Sequence, residues 1–187
     1  LFRDSSKKDC ATVINSENGL VNTIDLRDSS TDWGARFLNP ANDDVQEFIL
    51  QMLADLAQYD VDGIVLDRCR YDDFGLMSDF SEDSRLKFER HIGESVDNFP
   101  SGIFAPGTTS LGSVTNIQKK WLEFRAKTIH DFIEDAAAKV HSVNPDVRFG
   151  AYVGAWYSTY YTSGVNWASP KYDPAAAGYA WASADYK

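Results

Sequence analysis

The sequence predicts an α/β fold in which βα units build a parallel sheet. The first observation is the order of elements, because amphipathic helices alternate with short strands through the middle of the chain. The second is the uncharged Gly-Ile-Val-Leu run at residues 63–66, directly after a helix, which is typical of a strand buried on both faces of a parallel sheet. The length of 187 residues fits one domain.

Charge and composition exclude several classes of protein. The chain has 28 acidic and 18 basic residues and a net charge of −10, so it repels phosphate backbones and nucleic acid is not expected as a partner. No apolar run approaches the ~18 residues that a transmembrane segment needs. With only Cys10 and Cys69, a disulfide scaffold and a cysteine-based zinc site are excluded. The oligomeric state stays open.

The first elements are a hairpin and a helix. Residues 11–26 predict two short strands around a turn in which Gly19 supplies the positive φ. Residues 39–59 predict a helix capped by Asn39 with Pro40 in its first turn, or by Asn42 one turn later. Its apolar residues share one face: Val45, Phe48, Ile49, Met52, Leu53 and Leu56.

The next elements alternate between strands and helices. Residues 63–67 predict a strand, and Ser81 and Gly93 predict the start and end of a second helix. Prolines and glycines predict a long loop over 93–114, followed by a third helix over about 115–142 and a strand over 147–153. The chain therefore divides into a β-hairpin insertion (1–35), βα units (36–153) and an aromatic loop (154–187).

Proteins with parallel sheets carry their active-site residues at the carboxyl ends of the strands. The two candidate regions here are residues 67–80 and 153–187. Asp67 is the first charged residue after a buried strand, where it could act as nucleophile, as general base or as a ligand for a sugar hydroxyl. Arg68 or Arg70 is expected to hold its carboxylate ionised and to fix its orientation. A plain Asp–Arg pair that closes the strand end is the alternative.

A glycosidase usually needs a second carboxylate, about 5–5.5 Å from the first for retention and about 6.5–9.5 Å for inversion. The candidates are Asp72, Asp73 and Asp79. Capping of the second helix is the alternative function for Asp79.

Aromatic residues are concentrated at the end of the chain. Aromatic rings stack on the flat C–H faces of sugar rings, so a loop of this composition predicts a saccharide groove, although several rings are expected to pack on the domain. The candidates are Trp156, Tyr157, Tyr160, Tyr161, Trp167, Tyr172, Tyr179 and Trp181. Tyr71 and Tyr152 lie near the two strand ends and are further candidates for substrate binding. No motif predicts a metal or a cofactor.

Three blocks of sequence together resemble the glycosyl hydrolase-like family ten, relatives of α-amylase barrels. They are Asn-Pro-Ala-Asn at 39–42, Tyr-Asp-Val-Asp-Gly-Ile-Val-Leu-Asp-Arg-Cys-Arg-Tyr at 59–71, and Phe-Gly-Ala-Tyr-Val-Gly-Ala-Trp-Tyr at 149–157. The resemblance covers about residues 36–175. It implies a (β/α)₈ barrel, a carbohydrate substrate, Asp67 at the position of a catalytic carboxylate, and a location outside the cell, in the periplasm or at the cell surface.

The sequence departs from the amylase-like pattern at two places. Val65 stands where those enzymes carry an arginine, and residues 153–157 contain no glutamate to serve as general acid. A full barrel takes ~250 residues, so the chain is expected to be the central part of a barrel or a shortened one. The functional expectation is a glycoside hydrolase, with a non-catalytic carbohydrate-binding module as the alternative.

Overall fold

The structure is a computed structural model that describes residues 5–26, 37–155, 157–165 and 176. Its strands and helices follow the predicted order: β1 (Val13–Ser16), β2 (Gly19–Asn22), α1 (Asp43–Leu56), β3 (Gly63–Asp67), α2 (Glu82–Ile92), α3 (Asn116–Val143) and β4 (Arg148–Tyr152). Short 3₁₀ turns lie between them, two of which follow β3 and β4 at Gly75–Met77 and Tyr157–Ser163. The mixed α/β content is therefore confirmed.

The predicted hairpin is present and is anchored to the rest of the molecule. Strands β1 and β2 pair antiparallel, and Gly19 has a φ of 104° at the turn. The backbone N–H of Phe80 donates to the carbonyl of Val13 at 2.8 Å, and Ala11 forms a β-bridge with Leu38. The hairpin is thus fixed to the segment that precedes α2.

Side-chain caps determine where the helices begin. The side chain of Asn42, the second of the two predicted caps, accepts from the backbone N–H of Val45 at 3.0 Å. Ser81 caps α2 as predicted, and Gly93 ends it in the left-handed conformation with a φ of 75°. Thr115 and Gln118 form a capping box at the start of α3.

The two strands of the central sheet pair in parallel, as the predicted helical crossover requires. Their register places Gly63 beside Arg148 and Asp67 beside Tyr152. Ile64 is buried and Leu66 half-buried in a core between the sheet, α1 and α3, whereas Gly63, Val65 and Asp67 face solvent. One face of β3 is therefore covered by helices and the other is open.

Two larger cores hold the helices. Trp121 of α3 is fully buried and stacks on Phe80 with ring centroids 5.2 Å apart, while Phe88 of α2 meets it edge-on at 4.9 Å. A second core joins α1, β3, α3 and β4 through Leu53, Ile64 and Val140. These contacts fix the carboxyl ends of β3 and β4 relative to α3.

The expected barrel is not closed in the part of the chain that the structure describes. There the sheets have two strands each, β1–β2 and β3–β4. Among these residues, no helix has both the length and the apolar character of a transmembrane segment.

Candidate functional site

The carboxyl ends of β3 and β4 place a carboxylate beside an aromatic ring. Asp67 and Tyr152 are paired in register, so their side chains project from the same open face of the sheet. Asp67 is exposed and Tyr152 is 73% exposed. The Asp67 carboxylate has no hydrogen-bond partner among the described residues. The pair is therefore accessible to a ligand, with a charged acceptor next to a flat apolar face.

The two arginines that follow β3 are paired with a different carboxylate from the one expected. Arg68 has a φ of 54°, which turns the chain sharply after the strand. Its Nη1 lies 3.2 Å from one oxygen of Asp73, and Nη2 of Arg70 lies 2.7 Å from the other. Both guanidinium groups also lie over the ring of Phe37, at 5.8 and 5.3 Å from its centroid.

The prediction that Arg68 or Arg70 orients Asp67 through a hydrogen bond is therefore wrong. Both arginines instead donate to Asp73, from a loop in which Arg68 has a positive φ. Asp67 does line a groove at the strand end, together with both arginines.

Asp72, a candidate second carboxylate, is completely buried. It accepts hydrogen bonds from the hydroxyl groups of Thr12 and Ser78 and, at 3.0 Å, from the backbone N–H of Phe74. Burial raises the pKa of Asp72, whereas these hydrogen bonds and the nearby Arg125 oppose the rise. The carboxylate joins the hairpin to the loop after β3 and is closed to solvent.

Asp79 is the second buried carboxylate, and it anchors the beginning of α2. It accepts from the backbone N–H of Val13 at 2.6 Å and from the hydroxyl groups of Ser81 and Ser84 at 2.6 and 2.7 Å. Asp79 therefore does not cap α2 itself; it holds the capping residue Ser81 and joins the start of the helix to β1. The serines at 81 and 84 were the signal in the sequence, because hydroxyl donors close to an aspartate can satisfy a buried carboxylate.

The prediction that Asp72 or Asp79 is catalytic is therefore contradicted. Neither side chain has any exposed surface through which it could reach a polysaccharide. Sequence spacing places an aspartate near a strand end but does not determine the direction of its side chain. Asp73, the third candidate, is 46% exposed in its side chain and paired with both arginines.

Asp79 should make stability depend on pH. Burial raises its pKa from 3.8 to about 6, so the folded state binds more protons than the unfolded state between these values. The free energy of unfolding should therefore fall as pH rises through this window, by roughly 3 kcal/mol from this group at most. Urea unfolding between pH 4 and pH 7 would measure it. Asp79→Asn should flatten the dependence and Asp73→Asn should not, and equal slopes in both variants would contradict the assignment.

The tyrosines near the strand ends differ in exposure. Tyr71 and Tyr160 are each 1% exposed and pack with Ile129 and Val165 in a small core, which contradicts their expected contact with substrate. The hydroxyl of Tyr160 donates to the carbonyl of Gly154. Tyr161 is half-buried against the core around Trp121. Of the described tyrosines at the two strand ends, Tyr152 is the one that faces solvent broadly.

Arg125 of α3 supports the site from beneath and was not predicted from the sequence. Its fully buried guanidinium donates to the carbonyls of Gly75 and Thr162 at 3.0 and 3.2 Å and stacks on the ring of Tyr71 at 4.3 Å. It therefore links the loop after β3 to the loop after β4. The spacing of Trp121, Arg125 and Ile129 was the available signal, because an arginine between buried residues four positions away lies on the buried face.

The remaining expectations on the aromatic loop lie outside the described side chains. Trp156, Trp167, Tyr172, Tyr179 and Trp181 fall outside the described residues, and of Tyr157 the backbone alone is described. Within the described part, no group of three or more His, Cys, Asp and Glu side chains is placed to hold a metal ion. Burial raises the pKa of Cys69 to about 12, so its thiol stays protonated.

Comparison with known proteins gives one family match. Residues 21–172 match the model of the family Glycosyl hydrolase-like 10. This range contains Asp67, Tyr152 and all three blocks of sequence that carry the resemblance. No solved structure matches the chain.

One similar protein is an S-layer-related protein of Niallia circulans. It is 35% identical over 168 residues, which is 84% of this chain and 10% of the relative. The chain thus spans about a tenth of the length of the relative that it matches.

Proposed function

Because the chain belongs to the glycosyl hydrolase-like 10 family, we propose that it hydrolyses O-glycosidic bonds in an oligosaccharide or polysaccharide. The observation that carries the proposal is the exposed pair of Asp67 and Tyr152 at the carboxyl ends of parallel strands, the edge at which barrel enzymes carry their active sites. In this proposal β3 and β4 are two neighbouring strands of a (β/α)₈ barrel.

Asp67 and Tyr152 have different functions in the proposed reaction. Asp67 acts as the nucleophile or as the general base, because its carboxylate is accessible and is held at a rigid strand end. The ring of Tyr152 stacks on a sugar next to the scissile bond. Such stacking contributes affinity rather than rate, since it acts on substrate and transition state alike.

A non-catalytic carbohydrate-binding function is the second candidate. The burial of Asp72 and Asp79 favours this candidate, because neither carboxylate can then act with Asp67 in acid–base catalysis. Asp73 is the exposed carboxylate that follows β3 within the described loop, and as a general acid it would first have to release Arg68 and Arg70.

We further propose that the protein is attached to or acts at the cell surface. The support is the name of its relative, an S-layer-related protein, over 84% of this chain.

A screen of polysaccharides for released reducing ends, combined with calorimetric titration, tests the proposal. Hydrolysis of any substrate by the wild-type chain supports the enzyme, and binding without hydrolysis supports the carbohydrate-binding module. If no saccharide binds or is cleaved, both functions are contradicted. A protein with Tyr152→Ala is the control for binding at this edge, since its side chain is exposed and its loss should leave the melting curve unchanged.

A further inference from the structure

The two strand-end loops, which follow β3 and β4, are joined by backbone and side-chain contacts. The backbone N–H of Tyr71 in the first loop donates to the carbonyl of Ser163 in the second at 3.0 Å. Nη2 of Arg125 donates to the carbonyls of Gly75 and Thr162, one in each loop, at 3.0 and 3.2 Å. A single side chain of α3 therefore bridges the two loops.

Gly164 allows the loop after β4 to pack closely against Tyr71 and Arg125. It is buried and has a φ of 64°. A Cβ at this position would overlap the ring of Tyr71 and would lie 3.2 Å from Cβ of Arg125. The guanidinium carbon of Arg125 lies 4.3 Å from the centroid of the same ring. The three residues thus form one tightly packed contact between the loops.

The buried guanidinium group of Arg125 does more than hold α3 against the loops. Its removal from water is costly, even with the carboxylate of Asp72 nearby to balance the charge, and an apolar side chain would pack there at a lower cost. The guanidinium supplies what an apolar side chain lacks, which is N–H donors for two carbonyls that belong to different loops. Its contribution is therefore the position of one loop relative to the other.

The strand-end loops lie where a longer saccharide would have to pass. They leave the sheet directly after Asp67 and Tyr152, which are neighbours in register. In a barrel the inner faces of the strands are packed, so a sugar chain that extends beyond this pair has room only above the strand ends. The spacing of the loops then determines how well such a chain fits.

We propose that Arg125 is a positioning residue of the saccharide site, which sets the spacing of the strand-end loops through its bonds to Gly75 and Thr162. This inference rests on the proposed function. It assigns the sugar next to the scissile bond to Asp67 and Tyr152, and the more distant sugars to the loops that Arg125 holds. Arg125 is fully buried and itself touches no substrate.

Arg125→Met tests the proposal through the length of the ligand. Calorimetric titration compares maltose, cellobiose and xylobiose with the hexasaccharides of the same linkages. Affinity for the hexasaccharide that the wild type binds best should fall about tenfold, as for the loss of a hydrogen bond to a charged group, while affinity for its disaccharide changes less than about twofold. A variant that was merely less stable would lose both affinities in the same proportion, since both depend on the folded fraction.

Gly164→Ala changes the same contact from the opposite loop and serves as the test if Arg125→Met does not fold. Its methyl group displaces the ring of Tyr71, so it should show the same selective loss of hexasaccharide affinity. Gly93→Ala is the matched control, because Gly93 also has a positive φ, 75°, but a Cβ there meets no atom within 4 Å. It strains the backbone to a similar degree and should retain both affinities.

Hydrogen exchange of the Tyr71 amide measures the contact between the loops without any ligand. Because this N–H donates to Ser163, its exchange should be about tenfold faster in Arg125→Met and Gly164→Ala and should stay near the wild-type rate in Gly93→Ala. Unchanged exchange, or equal losses of hexasaccharide and disaccharide affinity, would overturn the inference. If the wild type binds no saccharide, the proposed function fails and the inference with it. If the wild type binds and both loop variants retain hexasaccharide affinity, the inference alone fails.

Discussion

Asp67→Asn is expected to reduce hydrolysis of the best substrate by about 10²–10⁴-fold, the usual contribution of a positioned acid–base or nucleophilic group. Asparagine has nearly the same shape but carries no charge and cannot accept a proton. The Asp67 side chain is exposed and has no hydrogen-bond partner among the described residues, so its replacement should change the free energy of unfolding by less than about 0.5 kcal/mol. Initial rates of reducing-end release and a melting curve measure the two effects.

Asp73→Asn is the matched control for this variant. Asp73 lies in the same loop and its side chain is 46% exposed, but it is paired with Arg68 and Arg70 rather than aimed at the open face beside Tyr152. It should retain most of the activity, because both arginines hold its carboxylate and keep it from acting as the general acid, whereas comparable losses in the two variants would make Asp73 that acid. Equal activity of Asp67→Asn and wild type would remove Asp67 from the mechanism, and a large loss in Asp73→Asn alone would move the reacting group to Asp73.

The helices and strands were predictable because local physical rules determine them. Asn42, Ser81 and Thr115 accept backbone N–H groups at helix starts, and Gly93 ends α2 where a positive φ is needed. The parallel pairing of β3 and β4 follows from the helical crossover between them. Strand β4 is shorter than its prediction, ending at Tyr152 instead of Val153.

The site was harder to predict because it depends on where side chains point after the strand ends. Asp67 was identifiable as the charged residue that ends a short apolar strand, and Tyr152 as a residue near the end of the next strand. The positive φ of Arg68 could not be predicted from the sequence, since arginine seldom adopts it, and neither could the pairing of both arginines with Asp73. Hydrogen-bond partners that are distant in sequence, such as Thr12 and Asp72, could not be predicted either.

The burial of these polar groups explains how the hairpin and both strand-end loops come to lie against α3. Asp72 binds Thr12 of the hairpin, and Arg125 of α3 binds the carbonyls of Gly75 and Thr162 in the two loops. The backbone N–H of Tyr71 also donates to the carbonyl of Ser163 at 3.0 Å. The carboxyl edge that carries Asp67 is therefore held by a buried polar network rather than by apolar packing alone.

Asp72→Ala is expected to lower the free energy of unfolding by about 3–5 kcal/mol, as for removal of one partner from a buried charged network. The substitution leaves the hydroxyl groups of Thr12 and Ser78 and the backbone N–H of Phe74 buried without their acceptor. It also removes the negative charge that faces the buried guanidinium of Arg125. Urea unfolding at neutral pH measures the change.

Asp73→Ala, one residue farther along, is the control for the structural function of Asp72. The Asp73 side chain is 46% exposed, so water screens its ion pairs with Arg68 and Arg70. Removing it should lower the free energy of unfolding by no more than about 1 kcal/mol. A difference of several kcal/mol between the two neighbours would confirm that Asp72 stabilises the fold. If Asp72→Ala kept the stability of the wild type and lost saccharide hydrolysis, Asp72 would instead be the missing acid, and the carboxylate would have to become accessible when substrate binds.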